Sequence, residues 1–148
     1  MGGDRVVTLR QLGADVRRGS LNTIARKAAT YPVFHTTDYR GLTEGAVTLD
    51  AAMDLPADRK LVVAEAGDIL MARVDRSLHE KVAVVASGRA ALTDCVYRVR
   101  VPAEMSTPVL TALRSPEGTA SLLAATKGVS ARLLGKGDLL DLPLHLAS

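Results

Sequence analysis

Aromatic side chains are scarce in this 148-residue chain, which has three tyrosines, one phenylalanine and no tryptophan. Proteins that bind single-stranded nucleic acid without sequence preference stack the bases on several exposed rings. The scarcity therefore argues against a stacking platform for single strands. Hydrophobic residues still make up 47% of the chain, so the core has to be built mainly from leucine, valine, isoleucine, alanine and methionine.

Cysteine and long apolar runs are also lacking. The single Cys95 cannot form a disulfide within the chain, and the apolar alternating run that it starts predicts a small core residue in a reducing compartment. No apolar run approaches the roughly 18 residues that span a bilayer, and the start MGGDRVVTL lacks the apolar region of a signal peptide. We therefore expect a cytoplasmic protein with no membrane contact and one domain over residues 1–148.

Catalytic motifs are absent as well. There is no Gly-x-Gly cofactor turn after the first predicted strand, no Gly-x-Ser-x-Gly elbow and no Asp/Asn-Pro-Pro-aromatic motif. Glu80 stands directly beside Lys81, which is not the spacing of nuclease carboxylates, and the histidines and the cysteine lack metal-ligand spacing. We expect no enzyme activity, no metal and no cofactor.

Basic residues are present in a modest excess that is unevenly distributed. The formal net charge is +3 and the sequence pI is about 9.3. The segment Val16–Arg40 has five basic residues against one acid, whereas Gly41–Asp58 has four acids and no base. Such segregation is compatible with nucleic-acid binding.

Short β-branched runs separated by turns predict a sheet in the middle of the chain. The pattern favours strands at Val6–Leu9, Asp68–Val74 and Cys95–Val101. In the last of these, alternation places Arg98 and Arg100 on one face of the strand and the interleaved apolar residues on the other.

Helical patterns flank this sheet. Residues Leu12–Val16 predict a helical turn that ends at a Gly-Ser pair, and LNTIARKAAT fits either a helix or a loop. A Ser-Pro-Glu sequence at 115–117, with proline at the first helical position, predicts the junction of two short helices, and Asp138 is placed to cap a last helical turn. The whole pattern predicts an α+β fold with a mixed, mostly antiparallel central sheet and short flanking helices.

Five stretches, in this order, resemble segments of the target-recognition domain of type I restriction-modification specificity subunits. They are VTLRQLGADVRRGS, YPVFHTTDYRG, AEAGDILMARVDRSLHEKVAVV, TDCVYRVRV and LTALRSPEGTASLLAATKGVSARLLGKGDLLDLPLHL. The third and fourth are the most specific, since they match the family's Gly-Asp-Ile-Leu strand, its Arg-containing loop, its lysine-led return strand and the strand that follows. The chain departs from the family in having Lys-Gly-Val-Ser at 127–130 and in its last strand, LPLHLAS.

The resemblance implies a non-catalytic domain that reads half of a split duplex DNA target in the major groove. Modification and cleavage would belong to partners, a DNA methyltransferase subunit and a restriction subunit. Full specificity subunits have two such domains joined by long helices, whereas this chain has one and no heptad helix; symmetry would allow a homodimer to regain a two-part target. The alternative is an interaction module that docks a methyltransferase or another defence protein without binding DNA tightly.

The candidate DNA contacts are basic and polar residues in predicted loops, because phosphates require cations and base edges require polar side chains. They are Arg17, Arg18, Ser20, Arg26, Lys27, His35, Thr37, Arg40, Arg73, Arg76, Lys81, Lys127, Ser130, Arg132 and Lys136. Structural alternatives stand beside them. Asp38 suits a backbone cap in its own turn, and Asp75 is placed to pair with Arg76 or Lys81.

Overall fold

Short strands and short helices make up the computed structural model, which describes residues 5–39, 45–50, 54–128 and 131–147. The strands are β1 (Arg5–Val7), β2 (Asp15–Arg18), β3 (Val33–Phe34), β4 (Ala46–Thr48), β5 (Val63–Ala64), β6 (Ile69–Ala72), β7 (Val74–Asp75), β8 (Val82–Ser87), β9 (Ala90–Leu92), β10 (Val96–Arg100), β11 (Arg132–Leu133) and β12 (Leu144–Leu146). The α-helices are α1 (Thr23–Ala28), α2 (Ser106–Arg114), α3 (Pro116–Ala125) and α4 (Lys136–Leu140). Further 3-10 helices lie at Thr36–Tyr39, Leu78–Glu80 and Ala103–Met105.

A five-stranded central sheet has the order β2-β10-β6-β8-β4. Its neighbouring strands are antiparallel except for the parallel pair β4 and β8. A smaller sheet has the order β3-β9-β5, and two-stranded ribbons join β1 with β12 and β7 with β11. The predicted α+β class with a mixed, mostly antiparallel sheet is therefore confirmed.

Both faces of the central sheet are covered, because alternate side chains of each strand point to opposite sides. Val16, Met71 and Tyr97 lie on the face that packs against apolar side chains of α2, α3 and α4. Leu70 and Val96 lie on the other face and pack against the small sheet. The order of layers is helices, central sheet, small sheet, and no described helix is long and apolar enough to cross a membrane.

The expected helical turn at Leu12–Val16 is wrong, since β2 covers part of this segment. A turn through residues 9–13 instead brings the Ala14 amide to the carbonyl of Leu9, at 3.0 Å. Val16 is then buried between exposed neighbours and pairs with β10. The tertiary partner decides the outcome, because a strand hydrogen-bonded to β10 satisfies backbone groups that one isolated helical turn would leave unpaired.

The helix junction is confirmed and two smaller expectations are corrected. Ser115 caps α3, its Oγ accepting from the Gly118 amide at 3.0 Å, with proline at the first helical position. Asp138 does not cap α4, because that helix already begins at Lys136 and its N-cap is Gly135. Cys95 is half-buried in the turn before β10 and is not a core residue.

Arginine side chains stabilise the end of the sheet where β10 finishes. Arg98 is only 7% exposed and donates to the Val63 carbonyl at 2.9 Å and to Asp15 Oδ2 at 3.3 Å. Arg100 forms two bonds of 2.8 Å with the carboxylate of Asp68, which is 2% exposed and also accepts from the Glu65 amide. The two side chains share one face of β10, as the alternation predicted; this face is turned towards the small sheet, and their charges help to hold the layers together.

Replacing Asp68 tests this arrangement. We expect Asp68→Asn to lower the free energy of unfolding by about 2 kcal/mol, because it removes charge-assisted bonds from a buried position. The measurement is urea denaturation at neutral pH. Asp141→Asn is the matched control, since its pair with Arg10 joins side chains 61% and 59% exposed, and it should change stability little. Equal losses in the two variants would contradict the assignment.

Candidate nucleic-acid interface

The turn Thr93-Asp94-Cys95, which joins β9 to β10, is the meeting point of three distant segments. The Thr93 amide donates to the carbonyl of Phe34 at 3.2 Å, and the Arg73 amide donates to that of Cys95 at 2.7 Å. Leu21 forms a parallel bridge with Thr93. Each contact places a candidate basic or polar segment beside this 93–95 turn.

Gly19 allows the first segment to approach closely. Its amide donates to the Val96 carbonyl at 2.9 Å, and a Cβ at this position would overlap the carbonyl group of Thr93. Only glycine fits where two backbones pass at this separation. The end of β2 therefore crosses directly over the 93–95 turn.

Two arginines converge on one backbone oxygen of this turn. Arg18 Nε and Arg73 Nε both donate to the Asp94 carbonyl, at 3.1 and 2.7 Å. The Asp94 carboxylate lies 3.9 Å from Arg18 Nη2 and accepts from the Cys95 thiol at 3.6 Å. Burial raises the pKa of Cys95, and the charge of Asp94 raises it further, which keeps the thiol protonated as a donor.

His35 joins the turn from the opposite side. Its Nδ1 lies 2.7 Å from Thr93 Oγ1, and its amide donates to Asp38 Oδ2 at 2.7 Å. The structural interpretation of Asp38 as a cap in its own turn thus matches its geometry. The pKa of His35 is lowered, first by burial and then by repulsion from Arg26, which favours the neutral ring at neutral pH.

Lys81 links the 3-10 helix at Thr36–Tyr39 to the β7 segment. Its Nζ donates to the Thr36 carbonyl at 2.9 Å and pairs with Asp75 Oδ1 at 3.1 Å, with both side chains mostly buried. Of the two pairings expected for Asp75, the structure has the one with Lys81. Arg76 is exposed at the following position.

Helix α1 lies at the edge of this region and contributes no buried residue. Asn22 Oδ1 caps it by accepting from the Ala25 amide at 2.8 Å, and Arg26 Nη2 lies 3.5 Å from Thr37 Oγ1. Ile24 is 80% exposed, and Lys27 is exposed in the last turn. Of the segment LNTIARKAAT, for which a helix or a loop was possible, Thr23–Ala28 is therefore a helix without buried residues, while Leu21 before it is buried.

The C-terminal candidates reach the same region through β11. Arg132 is the register partner of Asp75, and the Leu134 amide donates to the Arg73 carbonyl at 2.9 Å. Lys127 bridges to Leu133 through two backbone bonds. Lys136 follows as the first residue of α4 and is exposed.

The predicted residues Arg18, Arg73 and His35 contact the 93–95 turn directly. Others lie on segments bonded to this region, namely Arg26, Lys81, Lys127 and Arg132, whose Nη1 donates to Thr126 Oγ1 at 3.2 Å. We call six of them the basic rim: Arg18, Arg26, Arg73, Lys81, Lys127 and Arg132. Ser20 lies at its edge, its amide donating to the Leu92 carbonyl at 3.1 Å. Arg17 is excluded, because alternation along β2 points it to the other face of the sheet, where it pairs with Asp15 at 3.4 Å. Arg40 and Ser130 lie outside the described residues.

Sequence reasoning did not single out the residues on which the rim is built. Thr93 binds His35 through its hydroxyl, Asp94 binds two arginines through its carbonyl, and Asn22 caps α1. The Thr-Asp pair before an alternating run was the signal in the sequence that could have indicated this turn. Ile24 and Leu133, 80% and 42% exposed, were also missed. Among the described residues, no three His, Cys, Asp or Glu side chains form a group that could hold a metal ion.

The helix layer, the mixed central sheet and the small sheet together form the fold of a target-recognition domain of type I restriction-modification specificity subunits. The S subunit from M. genitalium superposes with a TM-score of 0.62 over 99% of this chain, at 10% sequence identity. A structure that describes complex assembly and conformational transition of the type I R-M system superposes with a TM-score of 0.61 over 97% of this chain, at 17% sequence identity. The HsdS subunit from Thermoanaerobacter tengcongensis superposes with a TM-score of 0.56 over 97% of this chain, at 16% sequence identity.

This chain spans about a third of each of those proteins, 35%, 34% and 33% of their lengths. No protein-family model matches the sequence, and no curated protein does. The resemblance drawn from the order of the segments is confirmed at the level of the fold.

Substitution of Gly19 tests the close crossing at the 93–95 turn. We expect Gly19→Ala to lower the free energy of unfolding by about 3 kcal/mol, because the added methyl group meets rigid backbone atoms. Gly137→Ala is the control, since a Cβ there meets nothing within 4 Å and the residue lies inside α4, where alanine should stabilise by about 0.5–1 kcal/mol. Thermal and urea unfolding measure both, and a neutral Gly19→Ala would refute the crossing.

The lowered pKa of His35 predicts a pH dependence. A group whose folded-state pKa is depressed favours the folded state when it is deprotonated, so this contribution is complete above about pH 6.5 and is lost as the pH falls below that value. His35→Asn keeps an acceptor or donor near Thr93 but does not titrate. We expect the variant to lose less stability than the wild type between pH 7.5 and pH 5.5 in urea denaturation. Parallel pH profiles would contradict this role of His35.

Proposed function

We propose that this chain, as a single domain over residues 1–148, binds duplex DNA selectively and specifies the target of a restriction-modification or related methyltransferase system. It does so without a catalytic site of its own. The observation that carries the proposal is the meeting of Arg18 and Arg73 at the Asp94 carbonyl, with the cations Arg26, Lys81, Lys127 and Arg132 on segments that are bonded to the same region. These residues are far apart in sequence and acquire a common position only in the fold.

The charges of the basic rim favour a polyanion. Among the described residues, the carboxylates near the six cations of the rim include Asp38, which accepts from a backbone amide, Asp75, which pairs with Lys81, and Asp94 and Asp138, which lie near Arg18 and Arg73. Phosphate contacts from arginine and lysine supply most of the affinity of DNA-binding proteins and orient them on the duplex. The excess of positive charge therefore supports binding along a DNA backbone.

Exposed apolar side chains beside the rim support base reading. Among the described residues, three large hydrophobic side chains are exposed, and two of them, Ile24 and Leu133, flank the rim. Apolar atoms distinguish thymine through its methyl group in the major groove, and polar groups such as Thr37 reach base edges. A rim of cations with such side chains suits a duplex better than it suits a simple anion.

The fold supports a division of labour with partner subunits. Specificity subunits with this fold are components of type I restriction-modification systems, and this chain corresponds to about a third of each. We infer that a methyltransferase subunit supplies the chemistry and that a second recognition unit, from another chain or a second copy, completes a two-part target.

Selection from a randomised duplex library tests the proposal. We expect enrichment of one sequence pattern, with affinity that falls steeply as salt rises. The double variant Lys27→Glu/Lys127→Glu should weaken binding and make the salt dependence shallower, by about one unit of slope for each phosphate that the variant no longer neutralises. Fluorescence anisotropy over a salt series measures both quantities.

Arg89→Glu is the control. Arg89 is exposed, pairs with Glu65 and follows the end of β8, whereas Lys81 lies before the start of that strand. It should bind as the wild type does, apart from a small effect of net charge. Equal affinity for all duplexes would refute selective reading. No duplex binding at low salt, together with a stable complex with a copurified methyltransferase, would favour the interaction module.

A further inference from the structure

We propose that Arg18 and Arg73 form a clamp for a single phosphodiester group, held in position by the backbone carbonyl of Asp94. The inference rests on the proposed function and assigns one ligand to one part of the basic rim. Its basis is the shared acceptor, since both Nε atoms donate to the same oxygen, at 3.1 and 2.7 Å. The two Nε atoms therefore lie no farther apart than the sum of these two distances.

Most donors of this pair have no partner among the described residues. Each guanidinium has five N–H donors in a planar fork, and one Nε from each donates to the Asp94 carbonyl. In the part of the chain that the structure describes, the remaining contact is the approach of Arg18 Nη2 to the Asp94 carboxylate at 3.9 Å, which is beyond hydrogen-bond distance. The Nη groups are thus available to a ligand.

The local charge calls for an anion. Two permanent cations share one backbone carbonyl, and the Asp94 carboxylate, 3.9 Å from Arg18 Nη2, also accepts from the Cys95 thiol. Bringing two guanidinium groups together is unfavourable unless a negative group lies between or beside them. A phosphodiester has one charge and two non-bridging oxygens, so each oxygen can accept from one arginine.

A guanine edge fits this geometry less well. Its two acceptors suit the fork of one arginine, and it is neutral, so it would leave the repulsion between the two side chains uncompensated. The clamp is therefore expected to fix the position of the domain on the duplex and not to read a base.

The clamp is held rigidly by the backbone. The Arg73 amide donates to the Cys95 carbonyl at 2.7 Å, and the Arg73 carbonyl accepts from the Leu134 amide at 2.9 Å. Arg18 is the register partner of Tyr97 at the end of β2, and its side chain is 52% exposed. A site that is ordered before binding loses little side-chain entropy when the ligand arrives.

Conservative variants separate a positioned clamp from simple charge. Arg18→Lys and Arg73→Lys keep the charge but remove the Nε donor and the fork. We expect each to raise Kd by about tenfold, equivalent to roughly 1.4 kcal/mol, by the same factor for every duplex sequence. The matched control is Arg17→Lys, an exposed arginine on the same strand that points to the other face, and its Kd should change less than about twofold.

A second measurement does not depend on DNA binding by the whole domain. Dimethyl phosphate, titrated into the full chain, should shift the ¹⁵N resonances of the Arg18 and Arg73 guanidinium groups while that of Arg17 stays in place. If the wild type binds no duplex but these two resonances shift, the proposed function fails and the anion clamp stands.

Three results would overturn the clamp. An Arg17→Lys effect as large as those of the other two variants would show that charge alone matters. Loss of preference at one base position, with other positions unchanged, would make one of the arginines a guanine reader. Equal shifts of all three guanidinium resonances with dimethyl phosphate would show unspecific ion pairing.

Discussion

The passage of the Gly19 backbone across the 93–95 turn is the interaction on which the candidate interface depends. It requires a residue without a Cβ. It also places the end of β2 beside β10, which pairs with β2 on one side and with β6 on the other. From that crossing follow the position of Arg18 above Asp94 and the connection of β2 to the 21–28 segment. A larger residue would separate the two backbones and with them the first part of the rim.

The basic residues fall into two groups with different physical roles. Arg98 and Arg100 donate to carbonyl and carboxylate groups between the layers, and these bonds hold the layers together, although the buried Nε of Arg98 has no partner among the described residues. Arg18, Arg73 and their neighbours on the rim keep donors that described residues do not use. A buried cation must be paired to avoid a large desolvation cost, whereas a cation at a solvent-accessible rim can remain available to a ligand. Net charge alone does not distinguish these groups.

Pattern reasoning was most successful where one physical rule dominated. Alternation identified the arginine face of β10, and a Ser-Pro-Glu sequence identified the junction of α2 and α3, because each depends on neighbouring residues alone. It failed at residues 12–16, where pairing with β10 overrides a short helical pattern. It also failed at Cys95, whose alternating run starts one residue later, and at Asp138, whose helix starts before it.

The amino-acid sequence alone is enough to predict the fold class, and it shows the scarcity of rings and catalytic motifs and the set of basic residues from which an interface can be built. These follow from composition and local periodicity, which act over a few residues. The meeting of Arg18 and Arg73 at the Asp94 carbonyl, the bond between His35 and Thr93, and the separation of Arg17 from them are properties of the folded chain. These interactions join residues far apart in the chain through single carbonyl and hydroxyl groups, which have no sequence pattern of their own.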